Sequence, residues 1–244
     1  TFEELVAESG ADVSQEEINN FYTIGDKPVG VLRIFRCLER KVLSKPSFLT
    51  RITLKHIQRV ASQGVKYIEF YWNWTGLKHF MSYDEARQAI NEGIRQGLQR
   101  YGVVARSIPS IDREDTPEAA VELVEEMIRH PDQYTIGIGI DYRETNHEPE
   151  NFWKAFKMAK DAGFKITIHA GEFGEHWRNV ETAMKLLGAD RIDHGYTIID
   201  SPELVEEAKA ANMHFAVVPT NSYYLRTLSD EEWAIKHPVR KMVE

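Results

Sequence analysis

The chain has 244 residues, 42% hydrophobic and 28% charged, which is enough apolar material for one large α/β domain or two small ones. Its net charge of −8, with acidic and basic residues interleaved, argues against a nucleic-acid backbone as the main partner and leaves small molecules open. No apolar run of about eighteen residues offers a membrane span, and the opening Thr1-Phe2-Glu3-Glu4-Leu5 is no secretory signal.

The first 64 residues predict helices. Phe2 to Ala7 is a short amphipathic piece, and a second helix starts near Ser14 with Glu17 at the capping-box position. Gly25, Pro28 and Gly30 break the chain. Val31 to Val42 and Leu49 to Ser62 carry apolar residues at helical spacing. Cys37, the single cysteine, cannot form an internal disulfide. It reads as a small buried hydrophobe and predicts a cytoplasmic setting.

The pattern changes after Gly64. Val65 to Trp72 is aromatic and β-branched and predicts a strand. Ser82 and Glu85 open a helix that Gly102 closes. Further strands are expected at Val103–Ile108, Thr135–Ile140, Lys165–Ile168, Arg191–Asp193 and His214–Val218. Helices are expected from Thr116-Pro117 to His130, from Pro149 to Gly163, from Asn179 to Leu187, after Ser201-Pro202, and from Asp230 onward.

Six strands alternating with helices imply a parallel sheet with helices outside it. A (β/α)8 TIM barrel and an open doubly wound sheet both satisfy that pattern. No Gly-x-Gly-x-x-Gly turn follows a strand, and polar residues gather at the C-terminal strand ends, so the barrel is favoured. The expectation is a single α/β barrel domain over residues 1–244, with 1–64 as its helical N-terminal segment. Six of its eight strands are visible, with the first and eighth expected beyond the two ends of this sequence.

Active sites of such barrels form at the C-terminal strand ends. Those ends deliver Asn73 and Trp74, then Ser110 and Asp112, then Asp141-Tyr142-Arg143-Glu144. The later strands deliver His169 and Glu172, then Asp193 and His194, then Thr220, Asn221 and Ser222. His169 is the most informative. A neutral imidazole on a rigid strand end suits a zinc ion. Ala170 and Gly171 keep the next turn small enough for a ligand to approach. A partly desolvated Glu172 carboxyl can stay protonated and act as a general acid, with His194 on the adjacent strand as its counterpart. Each residue alone also reads as an ordinary rim residue, and Tyr71, Trp72 and Trp74 read equally as a ring-binding wall or as packing.

The segments Thr167-Ile168-His169-Ala170-Gly171-Glu172 and Arg191-Ile192-Asp193-His194-Gly195-Tyr196 are followed by Val218-Pro219-Thr220-Asn221-Ser222 and then His237-Pro238. In order and spacing the set resembles the adenosine deaminase family, zinc-dependent purine deaminases of the amidohydrolase superfamily. The likeness runs from about Val65 to the C-terminus. It implies a (β/α)8 barrel and a Zn2+ cofactor with His169 as one ligand. It also implies Glu172 as the proton donor to the purine ring, His194 acting on the attacking water, and Asp141 and Gly171 against a small-molecule purine substrate. Two departures stand out. The family's His-x-His pair on the first strand and Asp pair on the last are absent, so one metal ligand of four is supplied. The Asp141–Glu144 segment is bulky and charged where the family has a small Gly-containing one. A metal-free acid–base barrel enzyme and a non-catalytic small-molecule-binding barrel are the alternatives. The sequence leaves the oligomeric state open.

Overall fold

The structure is a computed structural model that describes residues 2–22, 31–172, 176–219 and 229–244. The break read at Gly25, Pro28 and Gly30, and the polar group Thr220, Asn221 and Ser222, lie outside the described residues. The chain divides into two compact units, Thr1–Ser110 with Glu125–Ile136, and Ile111–Val124 with Gly137–Glu244.

The first unit opens with helices α1 (Phe2–Ser9), α2 (Gln15–Tyr22), α3 (Val31–Cys37) and α4 (Pro46–Ser62). Ser14 caps α2 by accepting from the Glu17 N–H at 3.1 Å. The helix predicted to run to Val42 changes character at Leu38, and Leu38–Val42 is a π-helical turn. Strand β1 (Tyr67–Trp72) follows, then α5 (Tyr83–Tyr101) and β2 (Val104–Asp112), which pairs with β1 in parallel, Trp72 opposite Pro109. Both halves of the Ser82–Glu85 capping box are formed, and Gly102 ends α5 in the left-handed region at φ +66°. Helix α5 carries Gly93 and Gly97 one turn apart, facing α4. A Cβ at Gly93 would stand 2.7 Å from Thr53, and one at Gly97 2.6 Å from Ile57. These glycines set how closely the two helices pack.

The aromatic residues at the end of β1 pack against the start of α5. Trp72 stacks on Tyr83 at 5.5 Å, and Trp74 meets the same ring edge-on at 5.9 Å. The Trp74 indole N–H donates to the Met81 carbonyl at 3.2 Å. Asn73 is buried and donates to the Ser110 carbonyl at 3.1 Å.

The second unit holds β3 (Gly137–Asp141), α7 (Trp153–Asp161), β4 (Lys165–Ala170), α8 (Arg178–Lys185), β5 (Arg191–His194), α9 (Pro202–Ala210) and β6 (His214–Ala216). Helix α6 (Pro117–Arg129) precedes β3 in the chain. Strands β3 to β6 pair in parallel and in chain order. Ile138, Ile140, Ile166, Ile168 and Ile192 are fully or almost fully buried, as expected of parallel strands covered on both faces. Ser201 caps α9 by accepting from the Leu204 N–H, with Pro202 at the first helical position. Across the described chain, parallel strands alternate with helices. This is the repeat of the (β/α)8 barrel, with six of its eight strands present. Among the described residues no helix is long and apolar enough to cross a membrane.

Candidate active site

Strand β4 builds the centre of the site. Its register places His169 opposite Asp193 and Ala170 opposite His194 on β5. The His169 ring Nδ1 lies 3.6 Å from Asp193 Oδ2 and keeps about a fifth of its side chain accessible (20%). Asp193 is held from two sides: Thr167 Oγ1 donates to its Oδ2 at 2.7 Å, and Arg191 Nε lies 3.2 Å from its Oδ1. Burial, reinforced by the charges of Arg113 and Arg191, lowers the His169 pKa to about 3, so its imidazole is neutral.

His194 ends β5 in the left-handed region at φ +71°, followed by Gly195 at φ +68°. An ordinary side chain rarely adopts this conformation, and such residues concentrate at functional sites. The turn brings His194 Nε2 to 3.4 Å from Glu172 Oε1, and its Nδ1 to 3.4 Å from the Tyr196 hydroxyl. The His169 and His194 rings lie 4.9 Å apart. The Tyr196 hydroxyl also accepts from the Val218 N–H at 2.9 Å, and its ring packs on His237 at 4.8 Å. The predicted trio His169, Glu172 and His194 is therefore together.

Glu172 and His194 are both buried and are pushed in opposite directions. Burial, with the Glu144 carboxylate next in weight, raises the Glu172 pKa to about 8. Burial first, then the neighbouring His169, lowers that of His194 to about 3. At neutral pH the proton sits on the carboxyl and the imidazole is free of it. Burial thus favours the uncharged form of each group.

Gly171 adopts φ +70°, and a Cβ there would stand 2.6 Å from Thr197 Oγ1 and 2.9 Å from Val180 Cγ2. Its N–H is engaged by a rim residue whose hold on this turn is not visible in the sequence. Glu144 Oε1 accepts from the Gly171 N–H at 2.8 Å, and its Oε2 from the Glu172 N–H at 2.9 Å. Asn179 Nδ2 donates to Glu144 Oε1 at 2.9 Å. Glu144 is buried, so its part in the bulky charged segment is not to project into an opening. Asp141, at the end of β3, is half-buried, and its carbonyl accepts from Arg113 Nε at 3.2 Å.

Arg113 is the second missed residue. It is fully buried and also donates through Nη2 to the His169 carbonyl, tying the ends of β3 and β4. Desolvation pushes its pKa down, and Glu144, Asp141, Glu172 and Asp112 offset that. The signal available in the sequence was Asp112-Arg113 directly after an apolar strand, which periodicity alone reads as a rim.

A zinc ion takes about four ligands. His169 fits one position, being neutral, partly accessible and backed by a carboxylate. Among the described residues no group of three or more His, Cys, Asp or Glu can hold a metal ion. They therefore do not complete a zinc site by themselves.

The adenosine deaminase family model matches residues 12–244, almost the whole chain. The chain belongs to the adenosine deaminase family. Among its relatives, an adenine deaminase of Marinomonas sp. is 30% identical over 79% of this chain and 56% of its own length. An adenosine deaminase of Clostridium botulinum is 30% identical over 80% and 58%. The chain thus spans little more than half the length of these curated family members. Among solved structures, an amidohydrolase from Burkholderia ambifaria with bound Zn is 49% identical, with a TM-score of 0.95 over 99% of this chain and 67% of that one. The adenine deaminase of Arthrobacter aurescens, at 21% identity and TM-score 0.88, shares the fold over 99% of this chain and 73% of that one.

Proposed function

We propose that this chain belongs to an enzyme that hydrolytically deaminates a 6-aminopurine, either adenosine, adenine or a near relative, and releases ammonia. Family relatives named for both substrates support the reaction class. The observation that carries the reading is the geometry of the Glu172–His194 pair, 3.4 Å apart and both buried, where burial favours the protonated carboxyl and the uncharged imidazole. Glu172 holds a proton that it can give to a ring nitrogen, which makes the amino-bearing carbon electrophilic. His194 is free to take the proton of the attacking water and to stabilise the charge that develops. The ring carbon gains the water oxygen, the proton taken by His194 passes to the amino group, which leaves as ammonia, and the remaining hydroxyl proton returns to Glu172 as the carbonyl forms. Asp141 and Gly171 are assigned to the edge of the purine.

In the same reading His169 is one ligand of a zinc ion, supported by the zinc-bound amidohydrolase at 49% identity. Zinc, when bound, lowers the pKa of a coordinated water toward neutrality. A screen for ammonia release across adenosine, adenine and N6-modified purines, with metal analysis of the same sample, tests the proposal. Ammonia from at least one of them and about one zinc per molecule of the intact protein are expected. A folded, zinc-replete protein that deaminates none of them contradicts it.

A further inference from the structure

We infer that Glu144 is a positioning residue: its buried carboxylate grips the two successive N–H groups of Gly171 and Glu172 and thereby aims the Glu172 side chain at His194. The inference rests on the proposed role of Glu172 and names what holds that residue in place. Three donors meet this one carboxylate, at 2.8 Å from Gly171 N, 2.9 Å from Glu172 N and 2.9 Å from Asn179 Nδ2. Charge-assisted bonds of this kind are shorter and stronger than neutral ones. They reach the turn directly after β4, which ends at Ala170.

The segment that carries Glu144 is shaped to deliver it. Tyr142 at φ +68° and Asn146 at φ +61° bracket it in left-handed conformations, and the His147 N–H closes a turn on the Glu144 carbonyl at 3.0 Å. The Arg143 N–H is held by Glu114 Oε1 at 3.3 Å. Arg113, fully buried, supplies the compensating charge, and Glu144 is the foremost of the four carboxylates that act on it. A buried carboxylate with this much built around it has a task, and its bonds run to the backbone of the general acid.

Glu144→Gln in the whole protein tests this. A glutamine keeps the size and one acceptor but turns an NH2 group toward one of the two backbone donors. Amide hydrogen exchange at Gly171 and Glu172 is expected to speed up at least about tenfold, the direct sign that the grip is lost. On a 6-aminopurine substrate, kcat is expected to fall about a hundredfold with KM within a few-fold, because misplacing a reacting group costs the chemical step and not binding. If the wild type releases no ammonia from any purine, the functional proposal fails while the exchange measurement still decides the role of Glu144. Unchanged exchange in a folded Glu144→Gln protein overturns the inference, as does an equal rise in KM and fall in kcat/KM at constant kcat. Should that variant not fold, Glu144→Asp keeps the charge but draws the carboxylate back from the two amides by one methylene. Faster exchange at the same two amides supports the inference, and unchanged exchange overturns it.

Discussion

Glu172 and Gly171 show at the scale of single residues how the site balances strain against chemistry. Gly171→Ala would place a methyl 2.6 Å from Thr197 Oγ1 at φ +70°. A loss of about 1–3 kcal/mol in denaturant unfolding is expected, and an unchanged midpoint would show that the turn has room. The Glu172 carboxyl makes a pH prediction with a definite sign. Its folded pKa is raised from 4.5 to about 8. Below 4.5 both the folded and unfolded forms hold the proton, so the full stability is present. As pH rises toward about 8 the unfolded chain releases the proton first, and stability is lost. His194 runs the other way. Its folded pKa is lowered from 6.5 to about 3, so its contribution is present above 6.5 and lost as pH falls toward 3. Glu172→Gln cannot ionise and should flatten the fall in thermal midpoint between about pH 5 and 8. A slope equal to that of the wild type would mean that Glu172 is not held in its acid form.

At the scale of elements, the α4–α5 pair depends on what α5 lacks. Gly93 and Gly97 let Thr53 and Ile57 approach the α5 backbone. Gly97→Leu should push the helices apart and cost about 1–3 kcal/mol by urea unfolding, despite the better helix propensity of leucine. A stabilised variant would contradict this packing. Most elements were legible because their punctuation is chemical: the Ser82–Glu85 box, Gly102 at its C-terminus, and Ser201-Pro202 at the start of α9 all act as read. Strand ends were less so. Strand β2 was expected to end at Ile108, before Pro109, yet it continues to Asp112. One missing donor removes one bond of an evenly spaced parallel ladder and leaves its neighbours. Strand β6 was expected to reach Val218 and ends at Ala216. The inward turn at Glu144 was not legible at all, since a tyrosine in the left-handed region at 142 has no composition cue. The His169–Glu172–His194 grouping was legible because parallel strands place residues of successive strand ends side by side, whereas Arg113 and Glu144 gain their roles from burial that only the folded chain creates.

At the scale of the whole molecule, the alternating parallel strands and the family match agree on a deaminase-type barrel, and strand ends β4 and β5 bring His169, Glu172 and His194 together. We propose that the Glu172 proton drives deamination. Ammonia release by wild type and Glu172→Gln, measured side by side on the 6-aminopurine turned over fastest, tests it most directly. A loss of at least about a hundredfold in kcat is expected, with the zinc content unchanged. Equal rates in the two proteins, at equal zinc content, would contradict it.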